Sequence, residues 1–200
     1  MAEIKPIETY YAGCRFRSRL EARWAVFFDA LGIKWEYEPE GFETKSGERY
    51  LPDFYLPNDK IYAEVKPPTA KWVDDFHRAD KFVGKNGIGQ VVFLSNIPDD
   101  RSGREWFPVF PVLHYDTFTG INSVRYASFM DGIFNRRCGA SKVYASEYFE
   151  AMAHCRHKEG DLDGLLTDYL RVSLSEETEK EIRKQYNKAR SARFEHGEEG

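Results

Sequence analysis

The sequence predicts an α/β protein, more closely an α+β fold with a mixed sheet, in the order helix, three strands, helix, strand (αβββαβ). Three observations predict it. An amphipathic segment ends at Gly32, an aromatic hairpin spans 50–66, and a second amphipathic segment leads into an apolar run over 90–95. The core is predicted over residues 1–98, followed by an irregular aromatic and basic segment over 99–145 and a helical C-terminal region over 146–200.

The composition is typical of a globular protein without a membrane span. Hydrophobic residues make up 42% and charged residues 31% of the 200 residues, and no run of about 18 apolar residues occurs. The first residues lack the apolar run of a signal peptide, and three scattered cysteines favour a reducing compartment. The net charge of −4 counts mildly against a nucleic-acid partner, but local basic surface decides such binding.

The clearest predicted helix covers residues 15–31. Its apolar residues recur at helical spacing, and Gly32 is a natural stop; they are Leu20, Trp24, Phe27, Phe28 and Leu31. Ser18 and Glu21 have the spacing of a capping box, which would make Glu21 a purely structural residue. Glu21 also lies beside the apolar stripe and so points towards the sheet, which favours a role in a functional site.

A basic patch surrounds Glu21 in the sequence. Arg15, Arg17, Arg19 and Arg23 are four arginines in nine residues. They could form a solvated helix face, or they could contact phosphates close to a metal site.

Alternating aromatic and acidic residues predict a half-buried strand over 34–42, in which Pro39 suggests a sheet edge or a bulge. Glu36, Glu38 and Glu40 would share one face of this strand. We expect that face to point to solvent, with contact of one glutamate to a metal or a basic group as the alternative.

The chain is organised around a predicted hairpin over 50–66, whose turn is 57–60. Symmetric closure pairs apolar residues on one face. The opposite face then pairs Asp53 with Glu64, and Lys66 follows two residues later on the same face.

Two carboxylates directly across an antiparallel pair repel each other, and a cation between them relieves the repulsion. Oxygen ligands in this arrangement suit Mg²⁺ or Mn²⁺, and Lys66 is placed to orient an attacking water or to stabilise charge on a phosphate. One alternative is a solvated hairpin face with an ordinary Glu–Lys pair. Another is glycoside hydrolysis by paired carboxylates, which the lysine and the nearby arginines disfavour.

After the hairpin, a helix is predicted from the spacing of Trp72, Phe76, Ala79 and Val83, with Lys71 among the cations around it, and a buried strand follows over 90–95. The aromatic residues of 101–145 are expected to pack on the core, the alternative being a DNA-facing insert.

Helices are predicted over 146–158, over 161–170 and from Ser173 or Ser175 to about Phe194. The last has little apolar face, so it should pack lightly or pair with something else. No zinc site is predicted, because the spacing of Cys138, His154, Cys155 and His157 matches no common pattern.

The tripeptide Pro52-Asp53-Phe54 and the tripeptide Glu64-Val65-Lys66 together resemble the signature of the PD-(D/E)xK nuclease superfamily. The resemblance covers roughly the first half of the chain and implies a restriction-endonuclease-like core. It implies that Asp53, Glu64 and the Val65 carbonyl hold Mg²⁺ (or Mn²⁺), that Glu21 completes the site and that Lys66 positions water or phosphate. DNA would be contacted by the four arginines and Lys71, and in-line hydrolysis would leave a 5′-phosphate.

Within that superfamily, the short spacing resembles phage-type endonuclease I, the Holliday-junction resolvases and the nuclease subunits of some cut-and-paste transposases. The resemblance implies a DNA substrate, no membrane partner and a place in the cytoplasm of a bacterial or phage-infected cell. Many resolvases are dimers, so a homodimer is a possible state by analogy. The contrasting hypothesis is a non-catalytic nucleic-acid-binding or adaptor protein that keeps a nuclease fold.

Overall fold

The computed structural model describes residues 6–67, 72–84, 88–99, 110–117, 120–129, 143–146 and 176–194. These residues form three helices and eleven strands. The helices are α1 (Arg19–Ala30), α2 (Trp72–Asp80) and α3 (Glu176–Ser191). The strands are β1 (Thr9–Tyr11), β2 (Cys14–Phe16), β3 (Glu36–Tyr37), β4 (Phe42–Glu43), β5 (Arg49–Tyr50), β6 (Phe54–Leu56), β7 (Ile61–Val65), β8 (Gln90–Leu94), β9 (Phe110–Asp116), β10 (Ile121–Phe129) and β11 (Val143–Ser146).

The central feature is a seven-stranded sheet in the order β11-β10-β9-β8-β7-β6-β3. Strands β7 and β8 run parallel and are connected through α2, whereas the other neighbours are antiparallel. The prediction of an α+β fold with a mixed sheet is therefore confirmed. Along the chain, α1, β3, β6, β7, α2 and β8 follow the predicted order of elements, with the small β4–β5 pair inserted.

Helix α1 begins at Arg19, later than predicted, because Arg15 and Phe16 belong to β2. Ser18 is the N-cap in an extended conformation, and its side chain accepts a hydrogen bond from the Glu21 N–H. The helix ends where expected, since Gly32 has a φ of +68°, a conformation that side chains disfavour.

The hairpin forms in the predicted register. Its three ladder pairs are Phe54–Ala63, Tyr55–Tyr62 and Leu56–Ile61, and residues 57–60 make the turn. The apolar face lies in the cluster that contains the buried side of α1. The opposite face is buried as well, in a second cluster that α2 helps to cover. The alternative of a solvated hairpin face is therefore wrong, as Asp53 and Glu64 are 4% and 5% exposed.

The predicted strand over 34–42 is divided into two short strands, β3 and β4. Glu38 between them has a φ of +46°, which turns the chain before Pro39. Strand β3 lies at the edge of the sheet, as Pro39 suggests.

Part of the segment predicted to be irregular forms regular strands. Strands β9 and β10 make a hairpin that extends the sheet from β8. Pro111 hides this pattern in the sequence, but it lies outside the β8 pairing, so its missing N–H removes no bond to β8. Phe110 and Phe129 are buried in the α1 cluster, which agrees with packing on the core.

Helix α3 packs closely on α1, so of the two predicted outcomes light packing is wrong, and pairing with another element describes what is found. Ile182, Tyr186 and Ala189 are at most 3% exposed, and the Tyr186 ring stacks on Phe27 with a centroid distance of 4.2 Å. These three residues form a narrow apolar stripe. The mean hydropathy of the helix does not indicate it, because most of the other residues are charged or polar.

Several predictions lie outside the described residues. They are Lys71, the helix over 161–170, the residues considered for zinc, and the helix over 146–158 apart from Ser146, which ends β11. Among the described residues, no helix has the length and apolar character needed to cross a bilayer.

Candidate metal and catalytic site

Asp53 is fixed where the β6–β7 ladder ends. The last pair of the ladder is Phe54–Ala63. Beyond it, the Asp53 side chain rather than a β6 carbonyl accepts the hydrogen bond from the β7 backbone. Its Oδ2 accepts a hydrogen bond from the Val65 N–H at 2.7 Å, and its carbonyl accepts one from the Glu38 N–H at 2.9 Å. Asp53 and Glu64 are therefore not a ladder pair, although the hairpin brings both to the same end of the sheet.

Glu64 lies on β7 with a partner for each oxygen. Its Oε1 is 2.6 Å from Lys66 Nζ, and its Oε2 accepts a hydrogen bond from the Tyr50 hydroxyl at 3.0 Å. The Tyr50 ring stacks on Phe82 with a centroid distance of 5.3 Å. The carboxylate is thus held in one orientation by a buried tyrosine and a lysine that is 23% exposed.

The electrostatics of the site are dominated by buried negative charge. Burial, followed by the charges of Glu64 and Glu21, raises the pKa of Asp53, and Lys66 and the Val65 N–H act in the opposite direction; the net pKa is about 8. Burial alone would lower the pKa of Lys66, but Glu64 raises it and the net direction is upward. Lys66 is therefore an ammonium ion at neutral pH and acts as a charge, not as a proton acceptor.

We expect the raised pKa of Asp53 to make the metal-free protein less stable at high pH. The folded pKa lies above the unfolded value of about 3.9, so the stabilisation is complete below about pH 4 and is lost as the pH rises towards 8. The slope from this group is at most about 1.4 kcal/mol per pH unit. Asp53→Asn cannot titrate and should flatten that dependence, as urea unfolding with a chelator would measure. The exposed Glu36→Gln is the control, and an equal slope in Asp53→Asn and the unmodified chain would contradict the expectation.

Glu21 donates its N–H to Ser18 Oγ, as the predicted capping box requires, and its carboxylate has three further partners. Its Oε1 accepts a hydrogen bond from Ser18 Oγ at 2.6 Å, and its Oε2 accepts from the Tyr37 hydroxyl at 2.5 Å and from the Arg17 N–H at 3.1 Å. Its charge also acts on Asp53. The structural role is confirmed, whereas a role in holding a metal stays a prediction.

Glu21→Gln separates these roles. A glutamine oxygen at the Oε2 position can accept from Tyr37 and Arg17, while its amide donates to Ser18 Oγ, so the free energy of unfolding should fall by about 1 kcal/mol or less. If Glu21 serves the metal site, Mg²⁺-dependent DNA cleavage should fall by orders of magnitude. Thermal unfolding and cleavage rate are measured on the same variant. A normal rate would restrict Glu21 to capping.

The four arginines do not form one uniform patch. Arg15 lies on β2 and pairs with Glu8, whereas Arg17 points inward and reaches Asp53 and Glu38. Arg19 and Arg23 are half-buried and lie one helical turn apart at the start of α1. Phosphate contact by any of them stays a prediction.

Sequence reasoning missed two side chains of the site, Tyr37 and Tyr50, and included Glu38 only in an alternative. Both tyrosines were assigned to strands by their aromatic character, and nothing in their spacing indicates a hydrogen bond to a carboxylate. The expected solvent face of the acidic strand is right for Glu36 and Glu40, which are exposed. The alternative applies to Glu38, which contacts the basic group of Arg17.

The donor chemistry fits a hard divalent cation. Among the residues that the structure describes, the carboxylates of Glu21, Glu38, Asp53 and Glu64 lie beside two cations, Arg17 and Lys66. In the part of the chain that the structure describes, no three Asp, Glu, His or Cys side chains converge on one metal position. Two carboxylates are enough for Mg²⁺, which usually takes its other ligands from water and substrate phosphate.

Comparison with known proteins adds no assignment: no protein-family model and no curated protein matches the chain. The interpretation of the site therefore depends on its residues and their geometry.

Proposed function

We propose that the chain is a metal-dependent DNA endonuclease of the PD-(D/E)xK type that hydrolyses phosphodiester bonds. The observation that carries the proposal is the burial of Asp53 and Glu64 beside Lys66, with more negative than positive charge. Burying unbalanced carboxylates costs folding free energy, and such sites are often functional. The order of helix, three strands, helix and strand agrees with the core of that superfamily.

Asp53 and Glu64 would hold Mg²⁺ or Mn²⁺, with the Val65 carbonyl as a further ligand. A bound divalent cation would supply a nucleophilic hydroxide near neutral pH and would offset charge on the scissile phosphate. The Lys66 ammonium lies against Glu64 and would orient the attacking water or a phosphate oxygen. Tyr50 keeps the Glu64 carboxylate in place by its hydrogen bond to Oε2.

Branched DNA and recombination or replication intermediates are the proposed substrates, from the resemblance to resolvases and transposase nuclease subunits. Action in the cytoplasm of a bacterial or phage-infected cell and homodimerisation are part of the same proposal. Arg15, Arg19, Arg23 and Lys71 are the proposed contacts to the DNA backbone.

A second candidate function is non-catalytic binding of nucleic acid by a nuclease-like fold. It is favoured by the ion pairs within the site, because Arg17 already pairs with Asp53 and Lys66 with Glu64. A protein of this kind would bind DNA but would not need a divalent cation to do so.

The experiment that separates these functions compares metals on two substrates. Purified protein is incubated with supercoiled plasmid and with a four-way DNA junction, in Mg²⁺, in Ca²⁺ or in a chelator. We expect cleavage in Mg²⁺ and binding with little cleavage in Ca²⁺, because the larger, loosely coordinated Ca²⁺ disturbs in-line geometry. Equal turnover in both metals, or full activity in chelator, would contradict the metal mechanism. Binding without cleavage in every condition would establish the second candidate.

A further inference from the structure

One guanidinium nitrogen bridges two carboxylates at the edge of the site. Arg17 Nη2 lies 3.0 Å from Asp53 Oδ1 and 2.7 Å from Glu38 Oε1. The other oxygen of Asp53, Oδ2, is engaged by the Val65 N–H. The oxygen that Arg17 contacts is therefore the one turned away from the backbone, and it is the natural ligand for a cation entering the site.

The backbone of Arg17 is held by two hydrogen bonds, whereas its side chain is largely exposed. The Arg17 N–H donates to Glu21 Oε2 and to the Tyr37 hydroxyl, each at 3.1 Å. Its side chain is 56% exposed, whereas that of Asp53 is 5% exposed. A partly exposed ion pair is a weak one, so a divalent cation can compete with it.

Glu38 is held in a conformation that a side chain rarely adopts. The Glu38 backbone has a φ of +46°, and for a residue other than glycine this conformation costs on the order of 1 kcal/mol or more. The hydrogen bond from the Glu38 N–H to the Asp53 carbonyl holds the backbone in this conformation. This conformation accompanies the placement of the Glu38 carboxylate against Arg17, next to Asp53. Unfavourable backbone conformations persist most often at functional sites.

We propose that Arg17 and Glu38 form a latch in which the guanidinium occupies Asp53 Oδ1 until a divalent cation displaces it. On displacement, Arg17 leaves Asp53 Oδ1 but keeps its pair with Glu38, and its planar donor group becomes available to a phosphate oxygen of the DNA. Arg17 and Glu38 are thus positioning residues that couple cation entry to substrate capture. This inference depends on the proposed function, because it requires the same cation at Asp53.

The test measures Mn²⁺ affinity by isothermal titration calorimetry without DNA, so it does not depend on cleavage. Arg17→Gln removes the competitor and should tighten Mn²⁺ binding by about fivefold. Glu38→Gln removes one of the two carboxylates that Arg17 contacts, so Arg17 should pair more strongly with Asp53. Mn²⁺ binding should then weaken about twofold or more. The double variant should match Arg17→Gln, because Glu38 acts only through Arg17. Arg49→Gln removes an equal charge at a position where the side chain is 82% exposed and pairs with Glu43, so it should leave Mn²⁺ affinity unchanged.

The outcomes distinguish the latch from the proposed function. Equal affinity in the unmodified chain and in Arg17→Gln would overturn the latch while leaving the metal site intact. If Glu38→Gln weakened binding equally in the Arg17→Gln background, Glu38 would act directly on the cation and the latch would again be wrong. Absence of any Mn²⁺ binding to the unmodified chain would overturn both. In Ca²⁺, weaker DNA binding by Arg17→Gln than by Arg49→Gln would support the transfer of Arg17 to phosphate, and equal binding would contradict it.

Discussion

Glu64→Gln should reduce Mg²⁺-dependent cleavage by about three orders of magnitude or more. The change removes a charge that would bind the cation, and metal stabilisation of the transition state is worth several kcal/mol, at about 1.4 kcal/mol for each factor of ten. The amide keeps the size of the carboxylate and can still accept the Tyr50 hydrogen bond. Alanine is the poorer choice, because Glu64 is 5% exposed and truncation would add a cavity to the loss of charge.

Lys66→Met should lower cleavage to a similar degree by removing the ammonium that Glu64 holds. Circular dichroism and the thermal midpoint check that each variant folds, and DNA binding in Ca²⁺ checks that it still reaches the substrate. Glu36→Gln, an exposed glutamate on β3, should cleave at the normal rate. Normal cleavage by a folded Glu64→Gln protein would remove Glu64 from the proposed machinery.

Tyr186→Ala should lower the free energy of unfolding by about 3–5 kcal/mol, a large part of the stability of an ordinary domain. Tyr186 is 1% exposed, stacks on Phe27 and meets the edge of Trp24 at a centroid distance of 6.3 Å. Truncation therefore leaves a void between α3 and α1, which surrounding side chains fill only in part. Urea unfolding followed by tryptophan fluorescence measures the loss.

Lys184→Ala is the matched control on the same helix. Lys184 is 74% exposed and forms only a loose ion pair with Glu181, so its loss should change stability by no more than about 0.5 kcal/mol. A similarly small effect of Tyr186→Ala would mean that α3 is not part of the core in solution.

The hairpin could be predicted from sequence because its information is local. Alternation of side chains along β6 and β7 fixes which residues share a face, and the four-residue turn fixes the register. The same reasoning brings Asp53, Glu64 and Lys66 together. It could not predict that both faces of β7 are buried, since burial of the second face depends on α2 and on strands that lie further along the chain.

The contact of Arg17 with Glu38 and the docking of α3 depend on neighbours that sequence spacing does not encode. Glu38 resembles its neighbours Glu36 and Glu40 in the sequence, and only the positive φ distinguishes its direction. Ile182, Tyr186 and Ala189 are three apolar residues among many charged ones, so a helix-wide average conceals a stripe that is narrow but fully buried. Strands β9 and β10 were missed because Pro111 and Gly120 interrupt the pattern by which strands are recognised.

The cover that α3 gives to α1 has a consequence for synthesis on the ribosome. Tyr186, which stacks on Phe27, is translated about 160 residues after it. At about 5–20 residues per second, the aromatic side of α1 is therefore synthesised on the order of ten seconds before α3 can pack on it. During that interval, nascent chains carry an uncovered surface around Phe27 and Trp24 that chaperones recognise and that favours aggregation. Contacts between such distant residues also slow folding. Expression at lower temperature or with additional chaperone should therefore raise the soluble yield more than substitutions at Asp53 or Glu64.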